Sequence, residues 1–411
     1  MLVVSCQKEG CTDPSASNYD PTVTKEDGSC IPYCDINCGL VCRSGSITSD
    51  EVWTSNEIYE VCGKLIVESG VTLTIEAGTI IKFHEGTGSL ASMLIIAKGG
   101  KINAVGNPNA PIIFTSILDN IQLGDVSGTN LNEDNSGLWG GLVILGKAPI
   151  SAMDGDVNSQ LEGIPAVDAY GAFGGNDSTD DSGVLDFVSI RHAGALIGAG
   201  NEINGLTLGG VGSGTSLSNI EIVACMDDGL ECLGGTVNVD DLMIGYAGDD
   251  GLDLDMNYSG MIQDFIILQN DESDEAIEAG GPEGTTYTDG IFTLKNGTLL
   301  MESGAETHSV FNSKAKGLID NIAFNGSISI AGEYDPSCSQ LIDNCLFYLL
   351  ETNPRLVFSA CNRTSLTYVT GNCSVSTADA AAAEAHISPT STQGNTNTNV
   401  SWTWLGANGK L

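Results

Sequence analysis

Seven carboxylates recur at one interval near the middle of this 411-residue chain. Asp227-Asp228-Gly229-Leu230 leads to Glu231, and twenty-two residues later Asp249-Asp250-Gly251-Leu252 leads to Asp253 and Asp255. Asp271-Glu272 follows after a similar interval. If the chain winds with that period, these acids sit on neighbouring turns about 4.8 Å apart. Like charges at that distance cost about 1 kcal/mol per pair in water and several at a lower effective dielectric. A cation, raised pKa values or backbone donors at the turn must compensate. Oxygen-only ligands suit Ca²⁺, which makes Asp227, Asp228, Glu231, Asp249, Asp250, Asp253 and Asp255 the candidate metal ligands. Asp228 and Asp250 are also the candidates for a carboxylate pair of the kind that hydrolyses glycosidic bonds. Asp-Asp-Gly is equally ordinary turn chemistry, with side chains splayed into water.

The period belongs to a longer phrase. Leu217-Ser-Asn219-Ile-Glu-Ile222, Val239-Asp-Asp241-Leu-Met-Ile244 and Ile262-Gln-Asp264-Phe-Ile-Ile267 are 22 and 23 residues apart, as are Ile319-Asp-Asn321 and Ile342-Asp-Asn344. A fixed period of this size means one supersecondary unit stacked on copies of itself. Apolar residues alternate at period two inside each phrase, so the unit is built of strands. The sequence predicts an all-β fold, a right-handed parallel β-helix with about 22–23 residues per rung. Asn219, Asp241, Asp264, Asn321 and Asn344 hold one place in successive rungs. Asx residues tolerate unusual turn dihedrals, and stacked in register they form a ladder. The interval from Asp264 to Asn296 is longer, 32 residues, which points to a loop extruded near residues 280–290.

Charge narrows the partners. With 53 acidic and 15 basic residues the net charge is −38. Such a surface repels nucleic acid and anionic lipid, and attracts divalent cations. No stretch approaches the ~20 apolar residues of a transmembrane helix. Thirteen cysteines argue for an oxidising compartment. Near neighbours suggest the disulfides Cys225–Cys232, Cys338–Cys345 and Cys361–Cys373; the pairing among Cys34, Cys38, Cys42 and Cys62 stays open. Val3-Val4-Ser5-Cys6 has the pattern of a lipobox, so Cys6 is a candidate for lipidation, and a lipid anchor is the one membrane contact expected. Residues 1–6 are then a remnant of a lipoprotein signal, 7–62 a cysteine-rich module, 63–375 the β-helix and 376–411 a cap or tail. Trp402 and Trp404 alternate as in a terminal strand that covers the last rung. Residues 377–386 form the best helix candidate.

Two resemblances sharpen this plan. Cys11-Thr-Asp-Pro, then Asn18-Tyr-Asp, then Asp27-Gly-Ser-Cys30 resembles a short surface module of Bacteroidetes proteins, which implies a Cys11–Cys30 bridge. Thr72-Leu-Thr-Ile-Glu-Ala-Gly-Thr-Ile-Ile81, Ala110-Pro-Ile-Ile-Phe-Thr-Ser116 and Trp139-Gly-Gly-Leu-Val-Ile-Leu-Gly146 resemble secreted right-handed β-helix proteins of Bacteroidetes and other marine bacteria. That likeness implies an extracellular or outer-surface location and no particular activity. The β-sandwich sorting domain of such cargo is not recognisable, which points to lipoprotein export or another route.

Enzymatic β-helices include pectate-type lyases and polygalacturonase-type hydrolases. Arg191 beside His192 lies within a repeat phrase, which favours a structural role, and His84, His308 and His386 are isolated. The flanking His and substrate-gripping Arg or Lys of a hydrolase are missing. Tyr170, Phe173, Tyr246, Tyr258 and Tyr287 are weak candidates for sugar platforms. The expected protein is therefore a non-enzymatic structural or adhesive element with Ca²⁺ at its acidic corners, whose partner is itself, in fibres or layers, or surface glycans. A polysaccharide hydrolase or lyase using carboxylates near 227–255 is the second reading, and a glycan-binding lipoprotein the third.

Overall fold

The computed structural model describes residues 9–10, 25–26, 42–153, 157–197, 203–302, 307–312, 314–324, 326–330, 356–359, 362–363 and 399–411. One 23-stranded sheet system, with parallel pairings throughout, winds into the expected right-handed β-helix. Each central turn supplies one long strand and one short strand. Ser216–Cys225 pairs with Asn238–Ala247, which pairs with Met261–Gln269. Leu230–Leu233 pairs with Leu252–Asp255, which pairs with Glu275–Ala279. The loop 280–291 leaves the coil between Glu275–Ala279 and Phe292–Met301, where the longer interval placed it.

The Asx position explains how a ten-residue strand turns a corner. Phe187, Asn219, Asp241, Asp264, Asn296 and Asn321 share one register place, and all have φ between 50° and 56°. One left-handed residue reverses the alternation, so Leu217 and Ile220, three apart, both face the core. Such a φ costs most side chains about 1–2 kcal/mol, and Asn or Asp less, because the side chain bonds locally. Side-chain bonds join this position in the later turns, Asn296 Nδ2 donating to Asp264 Oδ1 (3.0 Å) and Asn321 Nδ2 to Asn296 Oδ1 (2.8 Å), while Asn219 Nδ2 donates to Asp186 Oδ1 (2.8 Å), one residue before the shared place. Asn344 lies outside the described residues.

The interior is a column of Ile, Leu and Val, with Phe83 stacked on Trp139 at 3.9 Å between ring centres. The coil begins earlier than residue 63. Arg43–Ile47 pairs with Ile58–Val67 and Glu51–Trp53 with Thr72–Ile75, and Cys42 is bonded to Cys62, stapling this first turn. The Cys225–Cys232 bridge does not form. Each thiol is free and fully buried, Cys225 at the end of the long strand Ser216–Cys225 and Cys232 within the short strand Leu230–Leu233 across the Asp-Asp-Gly corner. Cys6, Cys11–Cys30, Cys338–Cys345, Cys361–Cys373 and the helix expected at 377–386 lie outside the described residues.

The tryptophans of the tail are not in a strand. Thr403 caps a short helix, Trp404–Ala407, and the segment packs on the flank of the central turns, with Trp402 and Trp404 buried against Val223, Ala224 and Met243. Among the described residues no helix is long and apolar enough to cross a membrane.

Replacing Asn296 tests the bend. Asn296→Val removes two ladder bonds and adds left-handed strain, for an expected loss of about 2–4 kcal/mol, whereas Asn296→Gly keeps the dihedral and should lose about half of that. Denaturant unfolding of the two variants checks the order; a valine variant as stable as the glycine one would refute it.

Candidate functional site

In-register stacking carries the repeating acids into vertical columns. Outward from one sheet, Thr207, Glu231, Asp253 and Glu278 stand directly over one another, and Leu233 and Asp255 share the neighbouring column. At the preceding corner Asn204, Asp228, Asp250 and Glu275 follow each other turn by turn. There the acids have a structural task. Asn204 Oδ1 accepts the backbone N–H of Asp228 (3.3 Å), Asp228 Oδ1 that of Asp250 (3.0 Å), and Asp250 Oδ1 that of Glu275 (2.9 Å). This is a second Asx ladder, running up the acidic corner. The glycine after each Asp pair is required by packing: a Cβ on Gly229 would stand 2.5 Å from Ile244 Cγ2, and one on Gly251 2.7 Å from the Ala276 carbonyl.

The third turn departs from expectation. Glu275, not Asp271-Glu272, takes the place above Asp250, since the spacing from Leu252 to its partner Ile277 is 25 residues where that from Leu230 to Leu252 is 22. Asp271 and Glu272 are exposed.

Six of the seven predicted ligands meet in overlapping trios: Asp227 with Asp228 and Asp249, Asp228 with Glu231 and Asp253, and Asp250 with Asp253 and Glu278. Within each trio, carboxylate oxygens lie within 4.8 Å of one another. Asp253 Oδ1 is buried without a hydrogen-bond partner, and Glu231 Oε2 accepts from Asn204 Nδ2 at 2.6 Å. The seventh, Asp255, lines the adjoining pocket with Asp227, Asp228, Glu231 and Glu283. That pocket has a volume of about 550 Å³, and its other wall includes Phe173, Leu161, Leu233 and Met256. Among the described residues its lining has no Lys, Arg or His. Of the aromatic candidates, Phe173 reaches the pocket, whereas Tyr246 and Tyr258 are buried elsewhere.

Glu278, Glu275, Asn204 and Glu283 were missed by sequence reasoning. Asn204-Gly-Leu repeats Asp228-Gly-Leu and Asp250-Gly-Leu, and Glu275-Ala-Ile-Glu278 repeats Asp250-Gly-Leu-Asp253, so three of the four carried a signal. Glu283 comes from the extruded loop and carried none.

Burial dominates the electrostatics. It pushes Asp228, Glu231 and Asp253 well above the usual carboxylate range, aided by Asp227, Asp228 and Asp255 respectively. Burial and then Asp228 push Asp250 up to about 10; burial and then Glu283 push Asp255 to about 6; burial and then Asp274 push Glu275 to about 7. Burial thus favours the protonated form of these carboxyls, and ligation of an ion by their oxygens would oppose it.

Residues 45–404 match the model of the pectate-lyase-like β-helix domain, and the chain belongs to that family. No curated protein and no solved structure matches it.

Two outcomes follow for the metal-free protein. A carboxyl whose folded pKa lies above its unfolded value of about 4 binds more protons folded than unfolded, so stability falls as pH rises between the two values. Melting temperature in chelator should therefore drop from pH 5 to pH 8, through the range of Asp255 and Glu275; a flat or rising profile would contradict the site. Second, Asp228→Asn keeps an acceptor for the Asp250 N–H and removes a charge, so it should raise the melting temperature in chelator at pH 8. Asp228→Ala leaves that buried N–H unsatisfied, at a cost of about 1–3 kcal/mol. Equal melting of the two variants would exclude the ladder role.

Proposed function

We propose that this protein is a non-enzymatic structural or adhesive β-helix working outside the cell, with Ca²⁺ bound along its acidic flank. The carrying observation is the set of overlapping carboxylate trios, which includes a buried Asp253 oxygen without a partner among the described residues and faces a pocket whose described lining has no cationic side chain. The donors are all hard oxygens on stacked strands, the ligand type that Ca²⁺ prefers, with bidentate carboxylates and water completing its shell of about 6–8 oxygens. An ion shared by Asp228, Glu231 and Asp253 ties two consecutive turns together, adding to the backbone ladder between them. The Cys42–Cys62 disulfide suits an oxidising location, and a surface at −38 suits ion-mediated contact with other copies or with glycans.

One observation favours a second reading, a polysaccharide hydrolase or lyase. The 550 Å³ pocket has the size and the mixed apolar and polar wall of a ligand site, and a buried acid beside it would be protonated at neutral pH, as a general acid must be. Two features weigh against it. Asp228 and Asp250, the expected catalytic pair, each spend an oxygen on a neighbouring turn. A lyase also needs a basic residue near the sugar, and the pocket lining offers none.

Calorimetry on protein stripped with chelator separates the readings. Ca²⁺ should bind and raise the melting temperature by several degrees, and Glu231→Gln with Asp253→Asn should weaken binding at least tenfold. Turnover of an acidic or neutral polysaccharide that disappears in Asp253→Asn would replace the structural reading with the catalytic one.

A further inference from the structure

Residues 399–411 behave as a plug seated in a socket on the coil. Trp402, Trp404 and Leu405 are buried against Val223, Ala224, Met243, Tyr246 and Leu268. Glu221, fully buried, accepts the backbone N–H of Trp404 and of Leu405, both at 2.9 Å. Its own position is set from the coil side, where Ser189 Oγ donates to Glu221 Oε2 (2.6 Å) and the buried Arg191 donates to Ser189 Oγ (2.7 Å). At the far end Lys410 donates to Glu133 (2.6 Å) and Glu302 (2.9 Å). The socket is thus apolar with one buried carboxyl acceptor, and the plug supplies two tryptophans, two backbone N–H groups and a lysine.

The connection between the halves is long. The coil is last described at Asn362–Arg363, which pairs beside Ala323–Phe324. In register, Asn362 stands five turns beyond Glu221, about 24 Å at 4.8 Å per turn. Residues 364–398 separate Arg363 from the plug, and a chain of that length spans at most on the order of 100 Å. The covalent link therefore does not oblige the plug to return to its own coil.

We propose that the plug exchanges between copies: residues 399–411 of one chain seat in the Glu221 socket of a second copy. Plug and socket are different surfaces, so the contact is heterologous and each copy keeps one half free; open chains result rather than closed dimers. In dilute protein the tethered plug wins, with an effective concentration of millimolar order. Exchange takes over where copies are crowded and where salt or Ca²⁺ screens the net charge of −38. The inference deepens the assembly reading above by naming its partner, and rests on that reading only for the crowded setting. Failure of Ca²⁺ binding would leave it standing, because it is read by mass and not by metal affinity.

Light scattering on the full chain in 0.15 M salt with Ca²⁺ is the test. Wild-type protein should pass, with rising concentration, from the 42.6 kDa monomer to multiples of it. The plug variant Trp402→Ala/Trp404→Ala and the socket variant Met243→Asp should each stay monomeric. Mixed one to one they should form a dimer and nothing larger, the intact plug of one filling the intact socket of the other. A wild-type monomer at every concentration, oligomers that persist in either variant, or a mixture that stays monomeric would each overturn the proposal. If Met243→Asp lacks the wild-type circular dichroism, a fluorescent peptide of residues 399–411 replaces it, added to the full-length plug variant. Saturable binding that weakens at least tenfold on adding Glu221→Gln supports the exchange; no binding overturns it.

Discussion

Hydrogen bonding between successive turns, in strict register, is the constraint from which the other features follow. It satisfies the backbone within the coil, and it also removes any choice about neighbours: a residue type repeated every turn becomes a column. For Leu217, Val239 and Ile262 that produces a dry core. For Glu231, Asp253 and Glu278 it produces repulsion that no lateral shift can relieve. The acidic flank is thus an expected product of a repeating acidic sequence on this backbone, and its compensation by protons, backbone donors or an ion is what defines the site chemically.

The same side-chain type solves two problems on this coil. At the bend of the long strands, Asn and Asp accept a left-handed φ that lets two inward residues sit three apart. At the Asp-Asp-Gly corner the conformation is ordinary and the service is different, a carboxylate or amide oxygen that receives the N–H of the next turn. In both places a short polar side chain reaches a backbone or a copy of itself one turn away. Membership of the pectate-lyase-like β-helix family therefore defines the frame, while the use made of each acid follows from its own position on it.

The period, the strand content and the bend ladder were legible in the sequence because register converts a spacing directly into a contact. Six of seven acids came together for the same reason. The errors fall where spacing stops determining position. Asp271-Glu272 was displaced because its turn is three residues longer than the one before it, which shifts the acids out of the column. Cys225 and Cys232 are near in sequence but lie on two strands separated by a corner, and proximity along a chain says little across a corner. Glu283 arrives from an extruded loop that obeys no repeat. The alternation around Trp402 looked like a strand, whereas Thr403 caps a helical turn there and the socket on the flank decides its place. The lower limit of the coil was hidden because Arg43–Ile47 has few apolar residues; its Arg43 instead packs over the Trp53 and Tyr59 rings.

The anchoring of the last residues bears on how the molecule takes mechanical load. A pull applied at Leu411 would enter the coil near Glu221, through two parallel N–H bonds and a pair of enclosed indole rings, rather than at the final strand. Strands peeled one at a time yield at low force because their bonds break in sequence, whereas a seated segment dragged along a flank must give up all its contacts together. The tail's docking point thus places a clamp on the flank of the central turns.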